Sequence, residues 1–507
     1  MIRATFSMAL ASALLAGCAT VSSAPTGLAL AQLASTGEVD PRFQSYNVEM
    51  VEVTGGRFWA PYGGPEGERY RMRPPLDLAG QRIRALAKPL GPVYLRVSGT
   101  WANSTYLPLA GEAVTAPPAG FAQVLTRDQW RGVIDFARAV DAKIVTSFPS
   151  SPGTRAPDGS WKPDQAQRLL DLTREAGTSI HGAELFNEPT VPPFGGFPKG
   201  YSAADYIRDF RIFRDWARQA APEMKLTGTG GASEATMLTH TRENEARGFL
   251  SSDDLLAGNP GSLDIVSYHY YGSASVRCKV SPLGEKEAAL SPAWLDQTLI
   301  DFAHYAALRD KYEPGKPLWL NETAQAACGG SPWAATFLDS FRYLNQLGAL
   351  AQQGVQVVAH NTLAASDYAL IDYDSLEPRP NYWAAVLWRR TMGSTVLAPP
   401  LSPSPGLRLY AHCLPGSYES DRRGGVGLLA INPGAAVQRL EVGAGIAWTM
   451  QATPLDGKTV TVNGAVPAVD AAGVITGLDG AAVRGGLTVP GHSIAFVAVP
   501  SASNPAC

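Results

Sequence analysis

Two carboxylates stand at the ends of apolar, strand-like runs. Glu188 closes "HGAELFNE" before Pro189, and Glu322 closes "PLWLNE". Proline stops the first run because it lacks the amide hydrogen that a ladder needs. A lone glutamate at a strand end is ordinarily a cap or an ion-pair member. Two that face each other can do more. One carboxyl donates a proton to a leaving oxygen and the other acts as nucleophile or base, which is what glycoside hydrolysis requires. Burial and mutual repulsion would keep one of them protonated.

Whether they face each other depends on the elements that carry them. Eight short apolar segments recur, at 46–53, 92–99, 142–149, 181–189, 224–230, 264–271, 317–323 and 355–363. Amphipathic stretches lie between them; "AADYIRDFRIFRDWARQAAP", for example, sets Tyr206, Phe210, Phe213 and Ala217 on one stripe. Strands alternating with such helices predict parallel βα units, and eight of them predict an α/β fold, the closed (β/α)8 TIM barrel. An open doubly wound sheet is the alternative, but "VTGGRFW" lacks its Gly-rich phosphate turn. Barrel active sites form at the C-terminal strand ends, so Glu188 on strand four and Glu322 on strand seven would share one mouth. Past residue 395 helical periodicity gives way to short strands separated by Gly, Pro and Asn, which predicts a C-terminal antiparallel β-sandwich. The expected layout is a signal segment at 1–17, a tether and the start of the sandwich at 18–40, the barrel at 41–395 and the sandwich at 396–507.

The 507 residues carry a net charge of −3 with no basic run, which argues against a nucleic-acid partner and against tight binding of a heavily sulfated polymer. The N-terminus has one arginine, an apolar run too short for a comfortable membrane span, and then Leu15-Ala16-Gly17-Cys18. That tetrapeptide resembles the bacterial lipobox, whose cysteine is lipidated. Cys18 is therefore the expected anchor of an exported, membrane-attached lipoprotein on the outer-membrane or periplasmic side; an ordinary cleaved signal peptide is the alternative. Four further cysteines, Cys278, Cys328, Cys413 and Cys507, permit two disulfides with three connectivities. No metal-ligand cluster is apparent at ligand spacing, and no cofactor is expected.

Asn-Glu-Pro on strand four with a second Glu on strand seven resembles the pattern of the clan A retaining glycosidases. Within that clan "DPRFQSYNVEM", "GPVYLRVSGT", "AELFNEP", "DIVSYHYY", "LWLNETAQAACGG", "SDYALIDYDSLEPRPNYW" and "RLYAHC" resemble glycoside hydrolase family 79, the heparanase and β-glucuronidase family. The resemblance runs from about residue 40 to the C-terminus. It implies Glu188 as acid/base, Glu322 as nucleophile and Asn187 as a ligand of the sugar 2-hydroxyl. It also implies Tyr270 as the tyrosine that reaches the nucleophile, with His269 pointing the other way as a packing residue. Arg96 is either a neighbour of the nucleophile or a structural ion-pair member. The loop at Gly329 and Gly330, together with Tyr368, is implied to grip a uronic-acid carboxylate; Glu49 and Thr100 are implied as sugar contacts.

Parallel neighbours would bring the loops after strands six and seven together, which makes a Cys278–Cys328 bridge reasonable. The family often ties the positions of Cys413 and Cys507. Near strand three, where heparanases that cut sulfated chains carry lysines, "VTSFPSSPGTRAPDG" offers only Arg155. The expected activity is therefore exo-β-glucuronidase action on a glucuronide or uronic-acid glycan. A heparanase-like endo-hydrolase and a non-catalytic carbohydrate-binding lipoprotein are the alternatives.

Overall fold

A computed structural model describes residues 26–507 except 66, 279–283, 417–423 and 471. Residues 1–25, with Cys18 and the lipobox, lie outside the described residues.

Eight parallel strands close into a barrel. In chain order they are Gln44–Glu49, Val93–Ser98, Ala142–Ser147, Gly182–Glu184, Lys225–Ala232, Ile265–Tyr271, Leu318–Ala324 and Val357–His360, and strand eight pairs with strand one. Each lies within one of the apolar segments read from the sequence or overlaps it. Strand one is shorter than expected. The Glu52 carboxylate accepts from the Glu49 amide at 2.6 Å, a capping box that turns Met50–Thr54 into a helix.

Side chains alternate along each strand, so the barrel interior is built in layers. Tyr94, Val145, Ile265, Trp319 and Val357 form an apolar floor. Two residues further along the same strands come Arg96, Ser147, Ser267, Asn321 and Ala359. The interior thus changes from apolar to polar towards the C-terminal ends.

The helices cover the outside. Ala203–Ala220 begins at a Ser202/Asp205 capping box and buries Tyr206, Phe210, Phe213 and Ala217. The helix Phe337–Gln352 is buried nearly all round because it is held between the barrel and the second domain. Gly348 permits this approach: a Cβ there would stand 2.4 Å from the Tyr410 ring.

The second domain is antiparallel apart from the two-residue strand Thr26–Gly27, which pairs parallel. Its strands run in space Ser35–Glu38, Thr395–Leu397, Arg408–Cys413, Val426–Asn432, Ser493–Val499 and Gln438–Gln451. The long strand Gln438–Gln451 is shared: its first part pairs with Ala481–Val489 and its last part with Ser493–Val499. Leu409, Leu428 and Val497 meet Leu440, Val442 and Leu487 in one apolar core. Segments before the first barrel strand, Thr26–Gly27 and Ser35–Glu38, pair into this domain.

Two disulfides join Cys278 to Cys328 and Cys413 to Cys507. The second closes a loop across 94 residues and fixes the last residue to an interior strand. Replacing Cys413 and Cys507 together with serine is expected to cost about 2–4 kcal/mol, mainly by freeing the unfolded chain. Denaturant unfolding of the oxidised wild type and the double variant measures it.

Candidate active site

The site is organised by one buried cation. Arg96, on strand two and 2% exposed, points into the barrel. Its Nη1 donates to Glu322 Oε2 at 2.7 Å. Its Nη2 donates to Glu184 Oε2 and to Asn187 Oδ1, both at 2.8 Å, and lies 3.2 Å from His269 Nε2. One guanidinium therefore ties strand two to strands four, six and seven. Its fork also fixes the Asn187 amide: with Oδ1 on Arg96, Nδ2 is left as a buried donor with no protein partner.

Glu188 lies just past strand four, in a left-handed backbone conformation at φ 47°. A non-glycine residue there is strained, and the turn is held from outside. Asn103 donates to the Asn187 and Gly195 carbonyls, each at 2.9 Å, and accepts from the Asn187 amide at 3.0 Å. His269 Nδ1 lies 3.1 Å from Glu188 Oε1 and 3.6 Å from Glu322 Oε2. One carboxylate oxygen of Glu188, one of Glu322 and a His269 nitrogen all lie within 4.8 Å of one another.

The second oxygen of Glu322 accepts from the Tyr271 hydroxyl at 2.6 Å. Burial pushes the Glu322 carboxyl up, but His269, Arg96 and the Tyr271 bond together hold it below the usual range. Glu49 shows the opposite outcome: burial, reinforced by the Glu322 charge, pushes it well above the usual range. Asn361 Nδ2 donates to Glu49 Oε1 and to the Tyr271 hydroxyl at 3.0 Å, and to the Tyr368 hydroxyl at 3.1 Å. Glu49 Oε2 and Asn361 Oδ1 are buried without a protein partner. Buried polar atoms are normally paired, so three such atoms in one network suit a ligand rich in hydroxyls. Gly99 makes room for Glu49, since a Cβ there would fall 1.5 Å from Oε2.

Cys328, Gly329 and Gly330 all have positive φ. The Gly330 amide is spent on the Ala326 carbonyl at 3.2 Å, whereas the Gly329 amide has no partner among the described residues. Arg277 donates to the Gly329 carbonyl at 3.2 Å, pairs with Asp367 and stacks 3.8 Å from the Tyr62 ring. It props the loop from behind.

No protein-family model matches the chain. Mouse heparanase is 27% identical over 458 residues, spanning 80% of this chain and 78% of that one. Heparanase-like protein 1 of Arabidopsis thaliana is 26% identical over 379 residues, 70% of this chain and 65% of that one. The chain is a homologue of the heparanases and heparanase-like proteins. Among solved structures, a 4-O-α-L-rhamnosyl-β-D-glucuronidase from Fusarium oxysporum matches with a TM-score of 0.63 at 13% identity, covering 92% of this chain and 97% of that one. A GH51 arabinofuranosidase from Xanthomonas axonopodis pv. citri matches at 0.61 and 16%, covering 92% and 97%. At such identities these two show the fold. The similarity to the heparanases supports a glycoside hydrolase.

In this heparanase homologue the residues singled out in the sequence gather at one mouth, with one correction. Tyr270 does not reach Glu322; Tyr271 does. The alternation read from "DIVSYHYY" is present, but its phase is reversed. Ser267, His269 and Tyr271 point inward, while Tyr268 stacks 4.6 Å from Tyr305 in the helix layer and Tyr270 follows it outward. His269 is correspondingly not a packing residue but a bridge beside both glutamates.

Arg96 is at once an ion-pair member and the neighbour of Glu322. Tyr368 joins the Asn361 network, and Thr100 opens the turn Thr100–Ser104 beside Gly99. Gly329 carries the unpartnered amide; Gly330 shapes the turn.

Glu184, Asn103, Asn361, Glu52 and Arg277 were not singled out in the sequence. Glu184 had a signal, an acid inside an apolar strand that needs a buried base such as Arg96. Arg277 had none.

The Glu188–His269–Glu322 trio is also the one group among the described residues whose donor atoms lie close enough for a metal ion. The Arg96 guanidinium already supplies the positive charge there.

Because the Tyr271 hydroxyl stabilises ionised Glu322, Tyr271→Phe is expected to raise the Glu322 pKa and Tyr270→Phe to leave it in place. Carbon-13 titration of the labelled carboxylate distinguishes the two residues.

Proposed function

We propose that this protein is a retaining β-glucuronidase that removes β-linked glucuronic acid by double displacement. The separation of the two glutamates carries the reading. One oxygen of each lies within 4.8 Å of one of the other, a close approach that suits a retaining pair, whose carboxyl groups stand about 5–5.5 Å apart.

In the first step protonated Glu188 gives its proton to the glycosidic oxygen. The bond from that oxygen to the anomeric carbon breaks, and Glu322 forms an ester to the carbon. In the second step Glu188, now ionised, takes a proton from water. The water oxygen bonds to the anomeric carbon, and Glu322 leaves as the carboxylate. Arg96 and Tyr271 keep Glu322 ionised and aimed. Asn187 Nδ2 is free to donate to the 2-hydroxyl, and Glu49 Oε2, also without a protein partner, is free to bond a sugar hydroxyl. Gly329, Gly330 and Tyr368 form the carboxylate-binding end.

Exo action on a terminal residue is the primary reading. Endo action inside a uronic-acid glycan draws support from the hairpin described in the next subsection. As part of the same proposal, Cys18 is the lipidation site of an exported, membrane-anchored form. Incorporation of labelled palmitate into wild type but not Cys18→Ser tests that point.

The mechanism predicts that the first sugar product seen by proton NMR is the β-anomer. Glu188→Gln should lower kcat/KM by about 10²–10⁴-fold on a poor leaving group and much less on an activated aryl glucuronide. Glu322→Gln should be inactive on both. A first-formed α-anomer, or full activity in Glu322→Gln, would refute the double displacement.

A further inference from the structure

Between the first barrel strand and the helix Gln81–Ala87 the chain inserts a hairpin, Gly56–Trp59 paired with Tyr70–Arg73. Its register sets Trp59 opposite Tyr70 and Arg57 opposite Met72. Alternation gives it two faces. One buries Phe58 against Val51 and Ala365, and sets Arg73 against Asp374. The other carries Arg57, Trp59, Tyr70 and Met72, which are exposed or half-buried.

On that second face Trp59 and Tyr70 stack at 4.7 Å. Arg57 lies 5.1 Å from the Tyr70 ring, and exposed Arg69 lies 5.5 and 5.3 Å from the Trp59 and Tyr70 rings. Arg71 is paired with Glu68. Arg57 and Arg69 have no carboxylate partner among the described residues. A chain with a net charge of −3 and no basic run in its sequence thus gathers, on an aromatic platform, two cations that have no carboxylate partner among the described residues.

The platform adjoins the active site. A Cβ on Gly329 would fall 2.8 Å from Trp59 Cγ. Tyr62, in the hairpin loop, donates to the Gly330 carbonyl at 3.0 Å. Arg69 Nη2 reaches to 3.0 Å from Cys278 Sγ, whose disulfide partner Cys328 precedes Gly329.

Under the glucuronidase reading, on which this inference rests, that loop holds the carboxylate on C5. C4 is bonded to C5, so a group attached at O4 emerges beside the same loop, away from the leaving group that Glu188 protonates. A pyranose lays its C–H face on an aromatic ring, and a carboxylate pairs with a guanidinium.

We propose that the hairpin forms a second sugar subsite that binds an acidic sugar attached at O4 of the reacting glucuronate. Trp59 and Tyr70 are its platform, and Arg57 and Arg69 are its carboxylate ligands. The enzyme would then accept, besides a terminal glucuronide, a uronic-acid chain extended beyond the reacting residue.

Three substrates test this: 4-nitrophenyl β-D-glucuronide, and the same compound carrying a glucuronosyl or a glucosyl residue at O4. Wild type should favour the glucuronosyl-extended over the glucosyl-extended compound about tenfold in kcat/KM, less at high salt, since screening weakens exposed charge contacts. Arg57→Ala with Arg69→Ala should abolish that preference while leaving the unextended compound within about twofold, because rim charges act only on what reaches them. Equal rates on the two extended compounds in wild type, or a preference that survives in the double variant, would overturn the proposal.

If the unextended glucuronide is not hydrolysed at all, the glucuronidase reading fails. Calorimetric binding of the two free disaccharides to the same proteins then decides the subsite separately. Tighter binding of the diacid that is lost in the double variant supports it, and equal affinities reject it.

Discussion

The Arg96 guanidinium is the interaction on which the site depends. A fully buried charge is tolerated only when paired and hydrogen-bonded, and Arg96 meets that condition with two carboxylates and an amide oxygen. Glu184 is the second carboxylate on Arg96, itself held by Ser267 and Asn321. The contact to Glu322 lowers the cost of keeping that buried carboxylate ionised. The same cation takes Asn187 Oδ1 and so leaves its buried Nδ2 donor without a protein partner. Loss of one partner from such a network leaves an uncompensated buried charge, a cost of about 3–5 kcal/mol.

The network is possible because the barrel interior is layered. Tyr94, Ile265, Trp319 and Val357 fill the floor and exclude water from below. The polar layer above, with Arg96, Ser147, Ser267 and Asn321, is therefore buried within the protein. Low polarity around it magnifies every charge interaction, which is why neighbouring carboxyls are pushed in opposite directions: Glu322 below the usual range and Glu49 well above it.

Around this rigid centre the loops bring specificity. The Cys278–Cys328 disulfide, the Arg277–Asp367 pair and the Tyr62 contact all brace the Cys328–Gly330 turn from outside. Cys328 is a non-glycine residue at φ 63°, a strained conformation that this bracing holds. The hairpin adds aromatic surface and positive charge on the same side.

Much of this was legible in the residues. Eight apolar segments with intervening amphipathic stretches specify the barrel, since period-two and period-3.6 patterns follow directly from backbone geometry. The positions of Glu188 and Glu322 at the ends of segments four and seven then specify a shared mouth. Three things were not legible. A strand's phase is degenerate when tyrosines are adjacent, so Tyr270 and Tyr271 could be told apart only once Tyr268 had packed on Tyr305. The 56–73 segment has no strong period, and it becomes a hairpin because Phe58 finds a place against Val51 and Ala365. Arg277 is far in sequence from the Gly329 carbonyl and Asp367, which it joins. The sequence alone therefore determined the repeating elements and the two glutamates, because those rest on local periodicity. Only the tertiary structure decided which side chains complete the site, because those contacts join residues brought together by the closing of the barrel.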